Sequence, residues 1–146
     1  MRLLKIFIMT NTKTIDEVTA AIKRNLTTDL LSSSWINKNG RQRMAGHCYH
    51  ASAVLRKFFP DLKLYRSVDD EGEYHWWCQK EVDGHQVIID LTSEQYTDLG
   101  RPLPYKNGQK ESELGFSYRE KVQKLLDRVE NDLNGNKTTL DAFLSD

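Results

Sequence analysis

The fold is decided by residues 73–91, which have the sequence EYHWWCQKEVDGHQVIIDL. The dipeptide Asp83-Gly84 separates two runs rich in aromatic and β-branched residues, and it is the strongest short signal for a tight hairpin turn. We therefore predict two antiparallel strands, Glu73 to Val82 and His85 to Leu91.

The register of this hairpin follows from its turn. A two-residue turn puts Val82 opposite His85, and the same register continues to Trp77 opposite Asp90. His75 and Asp90 are then diagonal neighbours on adjacent strands, where an imidazole and a carboxylate can meet. We expect one face of the hairpin to enter the core and the other to carry a site. The core face holds Tyr74, Trp76, Cys78, Val87, Ile89 and Leu91, and the site face holds His75, Trp77, Gln79, Ile88, Asp90 and Thr92.

Helices are predicted on both sides of the hairpin. The first begins at Thr14, which forms a capping box with Glu17 and precedes apolar residues at helical spacing. The second covers Cys48 to Phe59, where Pro60 ends it, and the third covers Ser117 to Leu133. The remaining predictions are a strand over Leu62 to Val68, a loop at 32–43 that carries Trp35, and a loop at 99–115.

Composition limits the class of protein. The chain has 146 residues, with 21 Lys and Arg against 21 Asp and Glu. This length and these elements predict one α+β domain over residues 1–146, with 1–13 and 134–146 at its periphery. A balanced charge provides no general attraction to nucleic acid or to an anionic membrane, so we expect neither as a partner.

The cysteine count and the N-terminus bear on the compartment. Two cysteines without a convincing signal peptide indicate a reduced, cytoplasmic protein. The run MRLLKIFIM is too short for a secretory signal or a membrane span. Two interpretations fit this run. Either translation starts at Met9 instead of Met1, or Leu3 to Ile8 form a short strand.

Three side chains fall in places that suit nucleophilic chemistry. Cys48 lies in the first turn of a predicted helix, whose dipole stabilises a thiolate. His75 is positioned to act as general base and acid, and Asp90 to fix the tautomer of the imidazole. Each residue alone has a structural explanation: an inert buried thiol, a core histidine and a turn cap. The combination favours an activated cysteine.

The same segments resemble a known family. GHCYHASAVL (46–55), YHWW (74–77) and VIIDLTSEQY (87–96) look like the Cys-His-Asp arrangement of papain-like proteins. The chain more closely resembles the uncharacterised YunG-like bacterial proteins, from about Trp35 to Tyr96. This resemblance implies a papain-like fold, with the helix carrying the cysteine packed on a small antiparallel sheet, and a Cys-His-Asp triad. It does not imply proteolysis.

Two further site residues are predicted. Papain-like enzymes place a Gln six residues before the nucleophile to help bind the oxyanion, and Gln42 has that spacing from Cys48. Met44 and Ala45 replace the tighter glycine-containing loop of the proteases, so the position of the donor depends on local geometry. Trp77, on the site face, would either line the acceptor groove or shield the histidine–carboxylate pair.

These observations predict a cysteine-dependent hydrolase, deamidase or acyl transferase that acts on a peptide, a protein or a small amide or ester through a thioester, without a cofactor. One alternative is a catalytically silent papain-like domain that binds a protein partner. Another is zinc binding, because all four His and both Cys lie between positions 47 and 85. His75 and Cys78 have an odd spacing and should point to opposite faces of a strand, so we expect no metal site. The sequence leaves the oligomeric state open.

Overall fold

The structure, a computed structural model, describes residues 13–145, and side chains as far as residue 135. The predicted strand Leu3 to Ile8 and the alternative start at Met9 lie outside the described residues. Within the described part there are five α-helices, one short 3-10 helix and a four-stranded sheet. The elements are α1 (Ile15–Arg24), the 3-10 helix (Thr28–Leu30), α2 (Ser33–Asn39), α3 (Cys48–Phe58), β1 (Lys63–Val68), β2 (Tyr74–Val82), β3 (His85–Ile89), α4 (Glu94–Thr97), β4 (Gln109–Glu111) and α5 (Phe116–Ser145).

The sheet has the order β3-β2-β1-β4, and its neighbouring strands are antiparallel. Helix α3 packs on β1 and β2, and it also contacts α1 and α5. Buried apolar side chains from these elements form one core cluster, including Ile22, Val54, Leu64 and Leu125. The predicted α+β class is therefore confirmed, with the helix that carries Cys48 lying against the sheet.

The hairpin has the predicted register. Val82 pairs with His85 and Cys78 pairs with Ile89. Asp83 and Gly84 both have positive φ values, 51° and 79°, as the predicted type of two-residue turn requires.

The division of the hairpin into two faces is confirmed in its central part. Trp76 and Cys78 are buried in the core, as predicted. The prediction was wrong for Tyr74 and Val87, which are 52% and 39% exposed. Tyr74 lies at the end of its strand and Val87 on the edge strand β3, where fewer neighbours cover a side chain.

The first helix begins as predicted. The Thr14 hydroxyl accepts a hydrogen bond from the backbone N–H of Glu17, at 3.1 Å. This bond satisfies one of the free N–H groups at the helix start. Val18, Ala21 and Ile22 are fully buried, so the apolar stripe faces the core.

Both predicted loops contain an element that the sequence did not indicate. Helix α2 lies inside the segment 32–43, but none of its seven residues is buried, so it has no apolar stripe that a pattern could detect. Strand β4 lies inside 99–115 and has the sequence Gln-Lys-Glu. Its pairing with β1, not its propensity, makes it a strand. Among residues 13–145 no helix has the length and apolar character needed to cross a bilayer.

Candidate active site

The structure brings Cys48, His75 and Asp90 together. Cys48 opens α3, His75 lies near the start of β2, and Asp90 follows β3 directly. His75 Nε2 lies 2.6 Å from Asp90 Oδ2. Cys48 is close enough to the same imidazole ring to raise its pKa. Asp90 and Cys48 therefore both act on His75.

The state of His75 is set by opposing effects. Burial of the ring would lower its pKa, because a charged imidazole loses its hydration. The hydrogen bond that His75 donates to Asp90, together with its interaction with Cys48, outweighs this effect and raises the pKa of His75 to about 9. The ring is therefore an imidazolium at neutral pH.

Asp90 is held by more groups than the sequence indicated. Its Oδ2 accepts a second hydrogen bond, from the Tyr105 hydroxyl at 2.7 Å. Its Oδ1 accepts a bond from the backbone N–H of Thr92, at 3.1 Å. Both oxygens are fixed, so the carboxylate presents a defined edge to His75. Tyr105 comes from a non-repetitive segment, and no local pattern in the sequence connects it to Asp90.

Aromatic rings cover the imidazole on two sides. Trp77 stacks on His75 with ring centroids 5.8 Å apart, and Tyr96 meets it edge-on at 4.7 Å. Trp77 is fully buried and its indole N–H donates to Gln79. Trp77 therefore covers one face of the imidazole, as the predicted shielding of the histidine–carboxylate pair requires, and its predicted place in an acceptor groove stays a prediction. Exclusion of water strengthens the ion pair beneath it.

Gln42 is directed away from the triad in this structure. Its side-chain amide donates to Asp98 at 3.0 Å, and its oxygen accepts from the backbone N–H of Met44. The oxyanion role of Gln42 stays a prediction, and it requires the amide to leave Asp98.

A different glutamine reaches the histidine. Gln95 is buried, and its Nε2 lies 3.4 Å from His75 Nδ1 and 3.1 Å from Thr92 Oγ1. It thereby links the segment after Asp90 to the imidazole nitrogen that does not contact Asp90. The signal for Gln95 was its place in the segment DLTSEQY, which the resemblance singled out without assigning this residue a role.

The packing of the chain just before Cys48 depends on Gly46, two residues earlier. Gly46 has a φ of +87°, which side chains other than glycine disfavour. A Cβ atom there would lie 2.8 Å from a Leu31 methyl and 3.1 Å from the Trp35 Cβ. The absence of a side chain therefore lets α2 pack directly against the start of α3.

Cys48 lines an open cleft of about 580 Å³. Its Sγ lies 4.0 Å from the backbone carbonyl of Tyr74, at the cleft wall. The sulfur is mostly covered, since Cys48 is 8% exposed, while His75 is fully buried behind it. Aromatic residues form much of the wall: Trp35, Tyr49, Tyr74, Trp76 and Tyr118.

Cys78 lies deeper in the protein than Cys48. It is fully buried in the core, where its thiol contacts the carbonyl of Ser52 at 3.4 Å. Burial raises the pKa of Cys78 to about 12, so it stays a thiol.

A pair of histidines lies beside Cys48. His47 Nδ1 and His50 Nε2 are 2.7 Å apart in the interior. Burial lowers the pKa of His47 to about 4 and that of His50 to about 3, so both are neutral at pH 7. No group of three or more His, Cys, Asp or Glu side chains among the described residues could hold a metal ion.

Comparisons of this chain with family models, with curated proteins and with solved structures find no match.

Proposed function

We propose that this protein is a papain-like, cysteine-dependent enzyme that acts on an amide or ester bond through a thioester at Cys48. The observation that carries the proposal is the buried His75–Asp90 pair beside Cys48, which itself lines an open cleft. A buried carboxylate is needed to keep a buried imidazole charged, and the charged imidazole in turn favours the thiolate. Peptides, proteins and small amides or esters are the substrate classes that this chemistry serves.

The first half of the reaction forms the acyl-enzyme. The Cys48 thiolate attacks the carbonyl carbon, so a C–S bond forms and the carbonyl oxygen becomes an oxyanion. The oxyanion collapses and expels the amine or alcohol, which takes the proton from His75 as the C–N or C–O bond breaks. A thioester and a neutral imidazole remain.

The second half regenerates the enzyme. His75 removes a proton from water or from another acceptor, which attacks the thioester carbon. The C–S bond breaks and Cys48 leaves as the thiolate beside the imidazolium. Asp90 takes no proton in either half, because its role is to hold the ring and stabilise its charge.

Selective alkylation tests the activated thiol. Iodoacetamide at about pH 6 should modify Cys48 well before Cys78, because only thiolates attack the reagent at an appreciable rate. The C–S bond forms as iodide leaves. Intact mass and peptide mapping measure the two rates. Cys78→Ala should keep the fast reaction, and Cys48→Ala should abolish it.

A further measurement separates an enzyme from a silent domain. A protein with an active triad should form a mass adduct with an acyl-directed electrophile at Cys48, and His75→Ala should prevent it. Equal labelling of the two cysteines, or preferential labelling of Cys78, would contradict the proposal. That result would favour a catalytically silent domain that binds a protein partner.

A further inference from the structure

We infer that the cleft beside Cys48 selects a substrate with an aromatic body and one anionic group, and that Lys121 binds the anion. This inference rests on the proposed function, because it takes Cys48 as the reacting group.

The aromatic part of the inference comes from the cleft wall. Tyr49 meets Trp76 and Tyr118 edge-on, with ring centroids 4.8 Å and 5.5 Å apart, so the wall is a connected aromatic surface. Tyr74 and Tyr118 remain 52% and 44% exposed, although the interior lies next to them. Exposed rings at a concave surface provide area for a flat apolar group.

The anionic part comes from the charges in the same cleft. Besides Cys48, whose proposed thiolate lies beside the His75 imidazolium, three formally charged side chains line it: Arg66, Glu73 and Lys121. Glu73 is balanced by Lys38 at 2.8 Å, and Arg66 by Glu111 at 3.2 Å.

Lys121 differs from Arg66 and Glu73, the other two charged side chains of the cleft. No carboxylate of residues 13–135 forms an ion pair with it. His50, another lining residue, lies close enough for the Lys121 charge to act on it, and it is neutral at pH 7. The cleft therefore has one uncompensated positive charge. One lysine balances one negative charge, so the complementary ligand is a monoanion such as a carboxylate.

A set of three probes tests this specificity. N-benzylchloroacetamide and its 4-carboxy and 4-aminomethyl derivatives each alkylate a thiolate, forming a C–S bond as chloride leaves. The reagents differ only in charge at one end of the ring. We expect Cys48 to react about fivefold faster with the carboxylate probe than with the neutral one, equivalent to about 1 kcal/mol, and most slowly with the cationic probe. N-benzylchloroacetamide should also alkylate Cys48 faster than N-methylchloroacetamide does.

Substitutions test which residue recognises the charge of the probe. Lys121→Gln should remove the preference for the carboxylate probe, and Lys121→Glu should reverse it. Lys124→Gln is the matched control on the same helix, since Lys124 pairs with Asp29 at 2.8 Å and does not line the cleft. It should keep the wild-type preference.

Iodoacetamide separates the two proposals. It carries neither a ring nor a charge, so its rate at Cys48 is the reference by which the probe rates of each of the four proteins are divided, and a reaction that stays selective for Cys48 shows that the site is intact. If iodoacetamide fails to react selectively at Cys48, the proposed function is overturned. If it reacts as expected but the wild type does not prefer the carboxylate probe, or Lys121→Glu keeps that preference, this inference alone is overturned.

Discussion

Asp90 shares one carboxylate oxygen between two donors, His75 Nε2 and the Tyr105 hydroxyl. The first bond maintains the charge of the imidazole, and the second fixes the carboxylate. A neutral carboxamide at this position could accept one bond but could not stabilise the imidazolium. In the proposed mechanism the reactivity of Cys48 therefore depends on Asp90 through His75.

This dependence predicts the effect of substitutions in the triad. Asp90→Asn should lower the alkylation rate of Cys48 near neutral pH by roughly tenfold or more, because the pKa of His75 loses its principal support. His75→Ala should lower the rate at least as far. The double variant should be little worse than His75→Ala alone, since residues that act as a unit are not additive. Rates against pH and melting temperatures for the four proteins provide the measurement.

Tyr105→Phe is the control for this cycle, because it removes one hydrogen bond and keeps the carboxylate. It should have a smaller effect on alkylation than Asp90→Asn. A turn-capping role for Asp90 makes a different prediction, namely a loss of about 1 kcal/mol in stability with no change in thiol reactivity. An unchanged rate profile with a lower melting temperature in Asp90→Asn would remove Asp90 from the site.

Among the secondary-structure elements, the hairpin was predictable because its information is local. The dipeptide Asp83-Gly84 sets the turn, the turn sets the register, and the register brings His75 to Asp90. Helix α2 was not predictable in the same way, because its residues are not buried and its position depends on contacts with the segment before α3. Periodicity detects elements that bury a face, and α2 does not bury one.

The contact between α2 and α3 predicts the effect of a methyl group at Gly46. Gly46→Ala should lower the free energy of unfolding by about 2–4 kcal/mol, because it adds a clash with Leu31 and Trp35 to the penalty for a positive φ. Gly72→Ala is the control, since Gly72 has a φ of +81° with no atom within 4 Å of an added Cβ. The free energy of unfolding of Gly72→Ala should fall by about 1–2 kcal/mol. Urea unfolding measures both, and equal losses would show that the clash is relieved at no cost.

Over the whole molecule, the sequence predicted the meeting of His75 with Asp90 but not the cleft in front of Cys48. Cys48, His75 and Asp90 occupy positions fixed by a helix start and a hairpin register. The cleft wall joins residues from α2, α3, β2 and α5, which are distant in sequence and meet only through tertiary packing. Tyr105 and Gln95 also reach the site through packing.

The histidines of the molecule respond to pH in opposite senses. The neutral forms of His47 and His50 are stabilised by burial, which lowers both pKa values below the unfolded value of about 6.5. The charged form of His75 is stabilised by its partners, which raise its pKa to about 9. Below about pH 6.5 the unfolded chain binds more protons at the first two residues. Above that pH the folded protein holds a proton on His75 that the unfolded chain releases.

We therefore expect the free energy of unfolding to reach a maximum near pH 6.5–7 and to fall on both sides. Between about pH 6.5 and 5, above the range where most carboxyl groups titrate, the buried pair should reduce it by about 1–3 kcal/mol. Between about pH 7 and 9, loss of the His75 proton should reduce it again. His50→Gln should reduce the pH dependence of the free energy of unfolding only on the acid side of the maximum. His75→Gln should reduce it only on the alkaline side. His85→Gln, at the exposed end of the hairpin, should leave both slopes unchanged. Urea titrations at each pH measure the curve, and a wild-type stability that is level from pH 5 to 9 would contradict the assignment of both histidine groups.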